Sequence, residues 1–392
     1  MQEKMAMIKE FRQLYGGSPT GLAYAPGRLE ILGNHTDYNQ GVVLSAAIDR
    51  GTFFALSPVG QGGDGVCRIH DLRSGDTVEF RLDQLEHPQA GDWANYVKGV
   101  IVELHKRGAT VPPFQAAIRS TIPLSAGMSS SAALEMAAAL ALCKLAGLSL
   151  STLELARIGQ SCENNYVGAR TGLMDQITSL NGRADHLVFS DFRSLAVTPV
   201  PMPSGVALIV ANSMVKHVLT GAYNERRIRC EEAVAELARH WPGVQALRDV
   251  TRQQLDEYRP QLDATTYRRA LHVVGENERV FAGIKALRRQ DLEAFGGLLF
   301  ASHESSRVNF ENSCPELDAL VELGKSLPGI VGARLSGGGF GGISVHLVRQ
   351  EQAAEFARRL AAAWQSRTGR ALDPIICRAA DGGRLLEVAP DA

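Results

Sequence analysis

Apolar and polar residues follow two different periods along this chain. Residues 4–15 carry apolar side chains at helical spacing and end at two glycines. The segments that come next alternate or are continuously apolar, and Gly, Asp and Pro separate them, as is typical of β-strands. This pattern predicts strands over 22–24, 42–48, 51–57, 66–70, 77–82, 114–122, 184–192, 205–212, 332–335 and 343–347, and a last one near 374–378.

Longer segments return to helical spacing. The strongest is 129–145, which is built from Ala, Leu, Met and Glu and begins with serines. Because strands and helices follow one another without a regular β-α-β alternation, the pattern favours an α+β fold over a doubly wound sheet. A length of 392 residues fits two domains, which we expect at 1–190 and 191–392. The predicted helices are 4–15, 93–106, 129–145, 151–166, most of 222–301, and 351–367.

Composition narrows the class of protein. Hydrophobic residues make up 45% and charged residues 21%, as in an ordinary protein with a well-filled core. Lys and Arg number 41 against 42 Asp and Glu, and this balance argues against a nucleic-acid or anionic-membrane partner. The first ten residues contain no apolar signal-peptide core, and the six dispersed cysteines form no Cys-x-x-Cys pair. We therefore expect a cytoplasmic protein with reduced thiols.

Two glycine motifs resemble nucleotide-binding loops but lack the context that these loops need. Gly324–Ser326 looks like the end of a P-loop, yet Ala319 stands where the first glycine belongs. The segment 337–342 contains G-x-G-x-x-G, but 343–348 reads as a strand and not as the helix of a dinucleotide site. We therefore reject the interpretation of either motif as a nucleotide-binding loop. A tight glycine turn between two strands remains a possible interpretation of 337–342.

The segment Pro123–Ala133 lies between a predicted strand and the strongest predicted helix. It contains three consecutive serines, Ser129–Ser131, among other small residues. Hydroxyls and free backbone N–H groups at a helix N-terminus form an anion site, and a serine hydroxyl can also ligate magnesium. The alternative interpretation is a serine-rich helix cap.

A second candidate segment is Arg28–Gly41. Its first part contains apolar residues, and these are followed by a loop that is dense in polar residues. Asn34, His35 and Asp37 offer there the donors and acceptors that a polyhydroxylated ligand requires. The alternative is a polar turn, since Asn, Asp, Thr and Gly are the usual turn-forming residues.

A third candidate is Asp175, which stands among Leu173, Met174 and Ile177. A carboxylate in apolar surroundings is costly unless it is paired or functional, so this position is a candidate for chemistry. Taken alone, it would more often be a helix cap.

Together these segments resemble one family. Arg28–Gly41 resembles the galactokinase signature, Pro123–Ala133 the central phosphate loop of the GHMP small-molecule kinases, and Leu335–Gly342 their C-terminal glycine motif. Further segments of galactokinase type are found at 93–99, 215–227, 272–280 and 314–318, so the resemblance runs nearly end to end. It implies a two-domain GHMP kinase fold, with a mixed-sheet N-terminal domain, an α+β C-terminal domain and the active site in the cleft between them. It also implies ATP-dependent phosphorylation of the anomeric C1 hydroxyl of D-galactose, giving galactose 1-phosphate and ADP.

The resemblance also implies residue roles. Asp175 matches the catalytic aspartate and Arg28 its cationic neighbour, and Asp175 acts either as the base or as the group that orients the C1 hydroxyl. Ser131 and Glu163 match the ligands of Mg²⁺, a hydroxyl and a carboxylate suited to a hard cation. The implied sugar-binding residues are Asn34, His35, Thr36, Asp37, Gly172 and Tyr223. The implied ATP-binding residues are Ser125, Ala126, Gly127, Met128, Ser129, Ser130, Ser131 and Trp93.

One departure from the family keeps specificity open. Most galactokinases have Glu, facing the 6-hydroxyl of the sugar, where this chain has Asn34. Asn34 would therefore weaken the hold on galactose or tolerate an oxidised C6, as in a uronic acid. The alternatives are a kinase for galacturonate, arabinose or N-acetylgalactosamine, and a non-catalytic galactose and ATP sensor, against which the complete catalytic set argues. We expect a monomer or weak dimer whose partners are a sugar and ATP, with neither nucleic acid nor membrane.

Overall fold

The computed structural model describes residues 2–60, 64–123, 127–169, 171–215 and 219–388. Most of its strands form one mixed sheet in the order β12-β1-β2-β5-β3-β4, with β6 on β2 and β7 on β6. The pairing of β3 with β5 is parallel and the other pairings are antiparallel. These strands are β1 Gly21–Leu32, β2 Val42–Pro58, β3 Val66–Asp71, β4 Thr77–Arg81, β5 Phe114–Ser120, β6 His186–Asp191, β7 Val197–Pro201 and β12 Arg384–Leu385.

A second sheet is antiparallel and runs β11-β8-β10-β9. It comprises β8 Val206–Asn212, β9 Ile330–Ser336, β10 Ile343–Arg349 and β11 Ile375–Cys377. One hydrophobic core joins the two sheets, with Leu29 and Leu44 from the first and Leu208 and Val345 from the second. This shared core brings β1 close to β9 and to the glycine loop 337–342 that follows it.

The helices cover the sheets. They are α1 Gln2–Tyr15, α2 Asn95–His105, α3 Ser130–Leu145, α4 Thr152–Ser161, α5 Met174–Asn181, α6 Leu219–His240, α7 Arg252–Tyr258, α8 Ala264–Arg288, α9 Leu292–Ser305, α10 Pro315–Lys325 and α11 Ala353–Thr368. α3 packs on β1 and β2, and its many buried alanines allow this close approach. None of the helices in the described ranges is long and apolar enough to cross a membrane.

The α+β class is confirmed, and several boundaries differ from the predictions. The predicted strands 42–48 and 51–57 are one strand, because Gly51 is packed against β1 instead of making a turn. A Cβ at Gly51 would lie 2.4 Å from the carbonyl oxygen of Ala25. The predicted helix 151–166 ends earlier, and a π-helical turn, Cys162–Val167, continues it.

Some elements were not predicted at all. β7 lies where the sequence shows no distinctive pattern, and only its pairing with β6 defines it as a strand. α5 begins one residue before Asp175, so this aspartate lies in the first turn of a helix. The domains 1–190 and 191–392 stay a prediction, and β7, which begins after residue 190, pairs with the first sheet.

Candidate active site

A cavity of about 420 Å³ opens where β1, the start of α3, the start of α5 and the glycine loop 337–342 meet. Most of the predicted site residues line it: Arg28, Asn34, His35, Asp37, Gly127, Ser129, Ser130, Ser131, Glu163, Gly172, Asp175 and Tyr223. Thr36, Met128 and Trp93 do not line the cavity. Ser125 and Ala126 lie outside the described residues. The roles of all these residues stay predictions.

The ion pair between Arg28 and Asp175 lies at the centre of the cavity wall. Arg28 comes from β1 and Asp175 from α5, and the guanidinium donates two hydrogen bonds, Nε to Oδ1 at 2.7 Å and Nη2 to Oδ2 at 2.9 Å. A third bond joins Nη1 to the carbonyl oxygen of Gly127 at 2.9 Å. Although burial alone would lower the pKa of Arg28, the Asp175 carboxylate raises it above its ordinary value. The pair therefore holds a fixed, charged geometry.

The loop before α3 adopts a backbone that few residues tolerate. Gly127 and Ser129 both have positive φ, 64° and 55°. The Ser129 hydroxyl donates to Oδ2 of Asp175 and forms no capping bond at the start of α3. Because this serine is not used as a cap, the arrangement fits an anion site better than the alternative of a serine-rich cap.

Ser131 and Glu163 form the candidate metal site. The Ser131 hydroxyl donates to Oε1 of Glu163 at 3.0 Å, and Oε2 accepts bonds from Thr171 and, at 3.2 Å, from Gln176. Burial and the nearby Asp175 raise the pKa of Glu163 above its ordinary value. Groups of three or more His, Cys, Asp and Glu that could hold a metal do not occur among the described residues. One hydroxyl and one carboxylate nevertheless fit Mg²⁺, which takes its other ligands from phosphate and water.

The polar loop after β1 is held by its own side chains. His35 lies 3.0 Å from the Gly338 carbonyl through Nε2 and 2.8 Å from the Tyr38 hydroxyl through Nδ1. Burial lowers the pKa of His35 to about 4, so the ring is neutral and donates through Nε2. Tyr223 and Phe310 pack against the same ring, at 5.0 and 4.6 Å between centroids. His35 thus ties this loop to the glycine loop.

Asp37 faces the cavity without a side-chain donor in the described part of the chain. Burial raises its pKa to about 7. Gly172 lies directly against this carboxylate, since a Cβ there would be 1.5 Å from Oδ2 of Asp37. The chain therefore needs glycine at this position to let the carboxylate occupy its place.

Thr36 and Asn34 use their polar atoms inside the protein. The Thr36 hydroxyl donates to the carbonyls of Gly33 and Val42, at 2.9 and 2.7 Å, and so holds the turn. Asn34 is fully buried. Its amide donates to Oε1 of Glu30 at 2.8 Å and to the Gly337 carbonyl at 2.9 Å, and its Oδ1 accepts from Asn312 at 3.0 Å. Asn34 therefore packs into a network that leaves its amide N–H groups no freedom for a ligand.

Three residues near the polar loop were missed by the sequence analysis. Glu30 lines the cavity and forms an ion pair of 2.8 Å with the fully buried Arg334. Burial raises the pKa of Glu30, while Arg334 acts in the opposite direction. Glu276 of α8 accepts hydrogen bonds from the backbone N–H groups of Gly33 and Asn34, at 2.9 and 2.8 Å. A single charge within an apolar run, the signal used for Asp175, also marks Glu30 in Leu29–Leu32.

Comparisons with known proteins agree with this geometry. Three family models match the chain: the galactokinase galactose-binding signature at 9–58, the GHMP kinases N terminal domain at 95–183 and the GHMP kinases C terminal at 284–366. The chain is 40% identical to the galactokinase of Roseiflexus sp. (strain RS-1) over 383 residues, which cover 97% of each chain. It is also 40% identical to the galactokinase of Actinobacillus pleuropneumoniae serotype 3 (strain JL03), over 98% of this chain and all of the relative.

Solved structures extend the comparison to the fold. The crystal structure of Lactococcus lactis galactokinase complexed with galactose matches with a TM-score of 0.90 and 30% identity, over 97% of this chain and 99% of that one. The mevalonate kinase of Methanococcus jannaschii matches in fold alone, with a TM-score of 0.64 and 18% identity. The match covers 93% of this chain and 99% of that one. The fold and the site together define a GHMP kinase. Within that class, the chain belongs to the galactokinase family.

Proposed function

We propose that this chain transfers the γ-phosphoryl group of ATP to the C1 hydroxyl of D-galactose, giving galactose 1-phosphate and ADP. The observation that carries the proposal is the meeting of the Arg28–Asp175 pair, the serine loop and the polar loop in one cavity. Membership of the galactokinase family over nearly the full chain supports the choice of sugar and of reacting hydroxyl.

In the proposed reaction, a bond forms between O1 of the sugar and the γ-phosphorus, and the bond from this phosphorus to the β,γ-bridging oxygen breaks. Asp175 accepts a hydrogen bond from the C1 hydroxyl and receives its proton late, because a loose phosphoryl-transfer transition state needs little activation of the nucleophile. Three bonds from Arg28 and Ser129 already hold this carboxylate. Such fixed geometry suits an orienting group.

The phosphates of ATP are proposed to lie over Gly127–Ser131, at the start of α3. Backbone N–H groups and the helix dipole favour negative charge there. Ser131 and Glu163 would hold Mg²⁺, which neutralises charge on the phosphates when it is bound. Arg28, fully charged and buried, adds a fixed positive charge beside the reacting groups. The adenine is proposed to lie towards Trp93 and towards Tyr96, which lines the cavity.

The proposal is tested by Mg²⁺-dependent ADP release from the purified chain with galactose, galacturonate, arabinose, N-acetylgalactosamine and glucose in parallel. We expect turnover with galactose to exceed that with every other sugar. Preference for another sugar would keep the kinase and overturn the substrate. Binding of galactose and ATP without turnover would identify a sensor instead. Light scattering on the same sample tests the further proposal of a monomer or weak dimer.

A further inference from the structure

One oxygen of the Glu30 carboxylate has no hydrogen-bond partner among the described residues. Glu30 lines the cavity, and only 4% of its side chain is exposed. Its Oε1 accepts hydrogen bonds from Arg334 and Asn34, each at 2.8 Å. Its Oε2 accepts none from the residues that the structure describes. Because Glu30 lines the cavity, this oxygen is available to a donor on a bound ligand.

The neighbouring Arg334 guanidinium influences whether the Glu30 carboxylate is ionised. Arg334 is fully buried, and Glu30 is the carboxylate within ion-pair distance of it. Protonation of Glu30 would remove the charge paired with the buried guanidinium of Arg334, and the loss of one charge from a buried ion pair is unfavourable. Arg334 therefore favours the ionised form of Glu30, although burial raises the pKa of this carboxylate above its ordinary value. An ionised carboxylate can only accept hydrogen bonds. The ligand group that it meets must be a donor such as a hydroxyl.

The position of Glu30 along β1 indicates which part of a sugar it meets. Arg28 and Glu30 are two residues apart on one strand, so their side chains lie on the same face, about 7 Å apart. That distance is comparable to the span of a hexopyranose together with its hydroxyl groups. If the C1 hydroxyl lies at Asp175, which is paired with Arg28, the opposite side of the ring lies at Glu30.

We propose that Glu30 is a specificity-determining residue whose Oε2 accepts a hydrogen bond from the sugar hydroxyl at C4 or C6. The proposal rests on the proposed function, because it takes C1 as the reacting position. This proposal changes the expectation that Asn34 lets the site accept a uronic acid. The site contains a carboxylate next to this amide, so it repels the carboxylate of a uronic acid even though Asn34 itself is neutral.

The test combines one substitution with truncated substrates. kcat/KM is measured for the unmodified chain and for Glu30→Gln with galactose and with its 2-deoxy, 4-deoxy and 6-deoxy forms. We expect Glu30→Gln to lower kcat/KM for galactose by about 10- to 100-fold, mainly through KM. The same loss should occur with 2-deoxygalactose. It should vanish with either the 4-deoxy or the 6-deoxy sugar, because that hydroxyl is then already absent.

Relative turnover of galacturonate should rise in Glu30→Gln, because the repelling charge is removed. An equal loss with all four neutral sugars, or no loss at all, would overturn the proposal. Glu30→Asp is measured in parallel with Glu30→Gln. The aspartate retains the negative charge facing Arg334, but its carboxylate lies one methylene further from the sugar. It should show the same dependence on the deoxy sugar, so the test does not depend on the stability of Glu30→Gln.

Glu103→Gln is the matched control. Glu103 is a buried glutamate of α2 that pairs with Lys106 and Arg107 and does not line the cavity. Its substitution should leave the ratios among the four sugars unchanged. The proposed function is tested by the unmodified chain alone: if galactose is not phosphorylated there, that function fails before any variant is considered.

Discussion

The two ends of the cavity differ in how their polar groups are satisfied. At the transfer end, formed by Arg28, Asp175, Ser129, Ser131 and Glu163, the side chains bond to one another. At the sugar end, formed by Glu30, Asn34, His35, Asp37 and Tyr223, two carboxylates keep oxygens that accept no side-chain donor from the described residues. The first end is built before any substrate binds, whereas the second leaves acceptors for hydroxyl groups.

This difference predicts different kinetic effects. Groups that already hold one another contribute fixed charge to the transition state, so their removal lowers kcat. Carboxylate oxygens that accept hydrogen bonds from the sugar hydroxyls contribute mainly to sugar binding, so their removal raises KM. Burial opposes the ionisation of Asp37, so the sugar end should be the less stable of the two ends at a pH where this carboxylate is ionised.

The largest effect is expected at the transfer end. Asp175→Asn removes the charge opposite Arg28 and the acceptor for the C1 hydroxyl, and should lower kcat by about 10³-fold or more. Steady-state rates of ADP formation measure it. Asp191→Asn is the matched control, because it breaks another bidentate pair, with Arg248, outside the cavity. A kcat within tenfold of the unmodified chain would show that Asp175 is not needed for the transfer step.

The next effect is expected at the sugar end, from Gly172→Ala. The new Cβ would lie 1.5 Å from Oδ2 of Asp37, so the carboxylate must move. KM for galactose should rise by about 100-fold, with a smaller change in kcat. In Gly297→Ala, on α9, the new Cβ meets open space, and kinetics should be unchanged. Should Gly172→Ala lower kcat alone, the assignment of this wall to sugar binding would be wrong.

Asp37→Asn separates sugar binding from stability. The pKa of Asp37 is about 7, above its ordinary value of 3.8, so the folded chain retains a proton that the unfolded chain loses between these pH values. Stability contributed by this group is therefore present below about pH 4 and is lost as the pH rises through 7. Asp37→Asn should raise KM for galactose by about 10- to 100-fold and unfold at a higher temperature than the unmodified chain at pH 8.

Thermal unfolding at pH 5 and pH 8 checks the second part of this prediction. The advantage of Asp37→Asn should be larger at pH 8 than at pH 5. In the unmodified chain, kcat/KM should rise with pH through about 7, since the ionised carboxylate is the stronger acceptor. An equal advantage at both pH values would contradict the raised pKa of Asp37.

Local signals explain which parts of the fold were predictable. α3 combines strong helix formers with a serine-rich start, and β8 is a nearly continuous apolar run, so both were located from their own residues. β7 and the continuity of β2 through Gly51 depend on pairing with strands that are distant in sequence. The π-helical turn Cys162–Val167 continues α4, and the periodicity of 151–166 does not distinguish the two.

The site was predictable only in part. The polar residues of Arg28–Gly41 and Asp175 stand out in the sequence, and the resemblance to a family proposed roles for them. The contact between Arg28 and Asp175 joins residues that are 147 positions apart, which no local pattern reveals. Glu30 carries the same local signal as Asp175, but its partner, Arg334, comes from the second sheet and is not apparent from the sequence. The role of a charged residue inside an apolar strand can be explained only when the side chain that pairs with it has been located in the structure.

The smallest effect is expected from Ser131→Ala. The hydroxyl of Ser131 donates to Glu163 at 3.0 Å, so its loss removes one predicted ligand of Mg²⁺ but leaves the carboxylate. The concentration of Mg²⁺ for half-maximal activity should rise, and kcat at fixed Mg²⁺ should fall about tenfold. A titration of initial rate against Mg²⁺ measures both.

Ser151→Ala is the control for the loss of a hydroxyl at a helix start. Ser151 caps α4 away from the cavity, so this variant should lose about 1 kcal/mol of stability without any change in Mg²⁺ dependence. If Ser131→Ala behaves like Ser151→Ala, then Ser131 serves only the structure of α3. Mg²⁺ would then be held by Glu163 and the phosphates alone. The hydrogen bonds among the side chains of the transfer end would serve to position the Arg28–Asp175 ion pair.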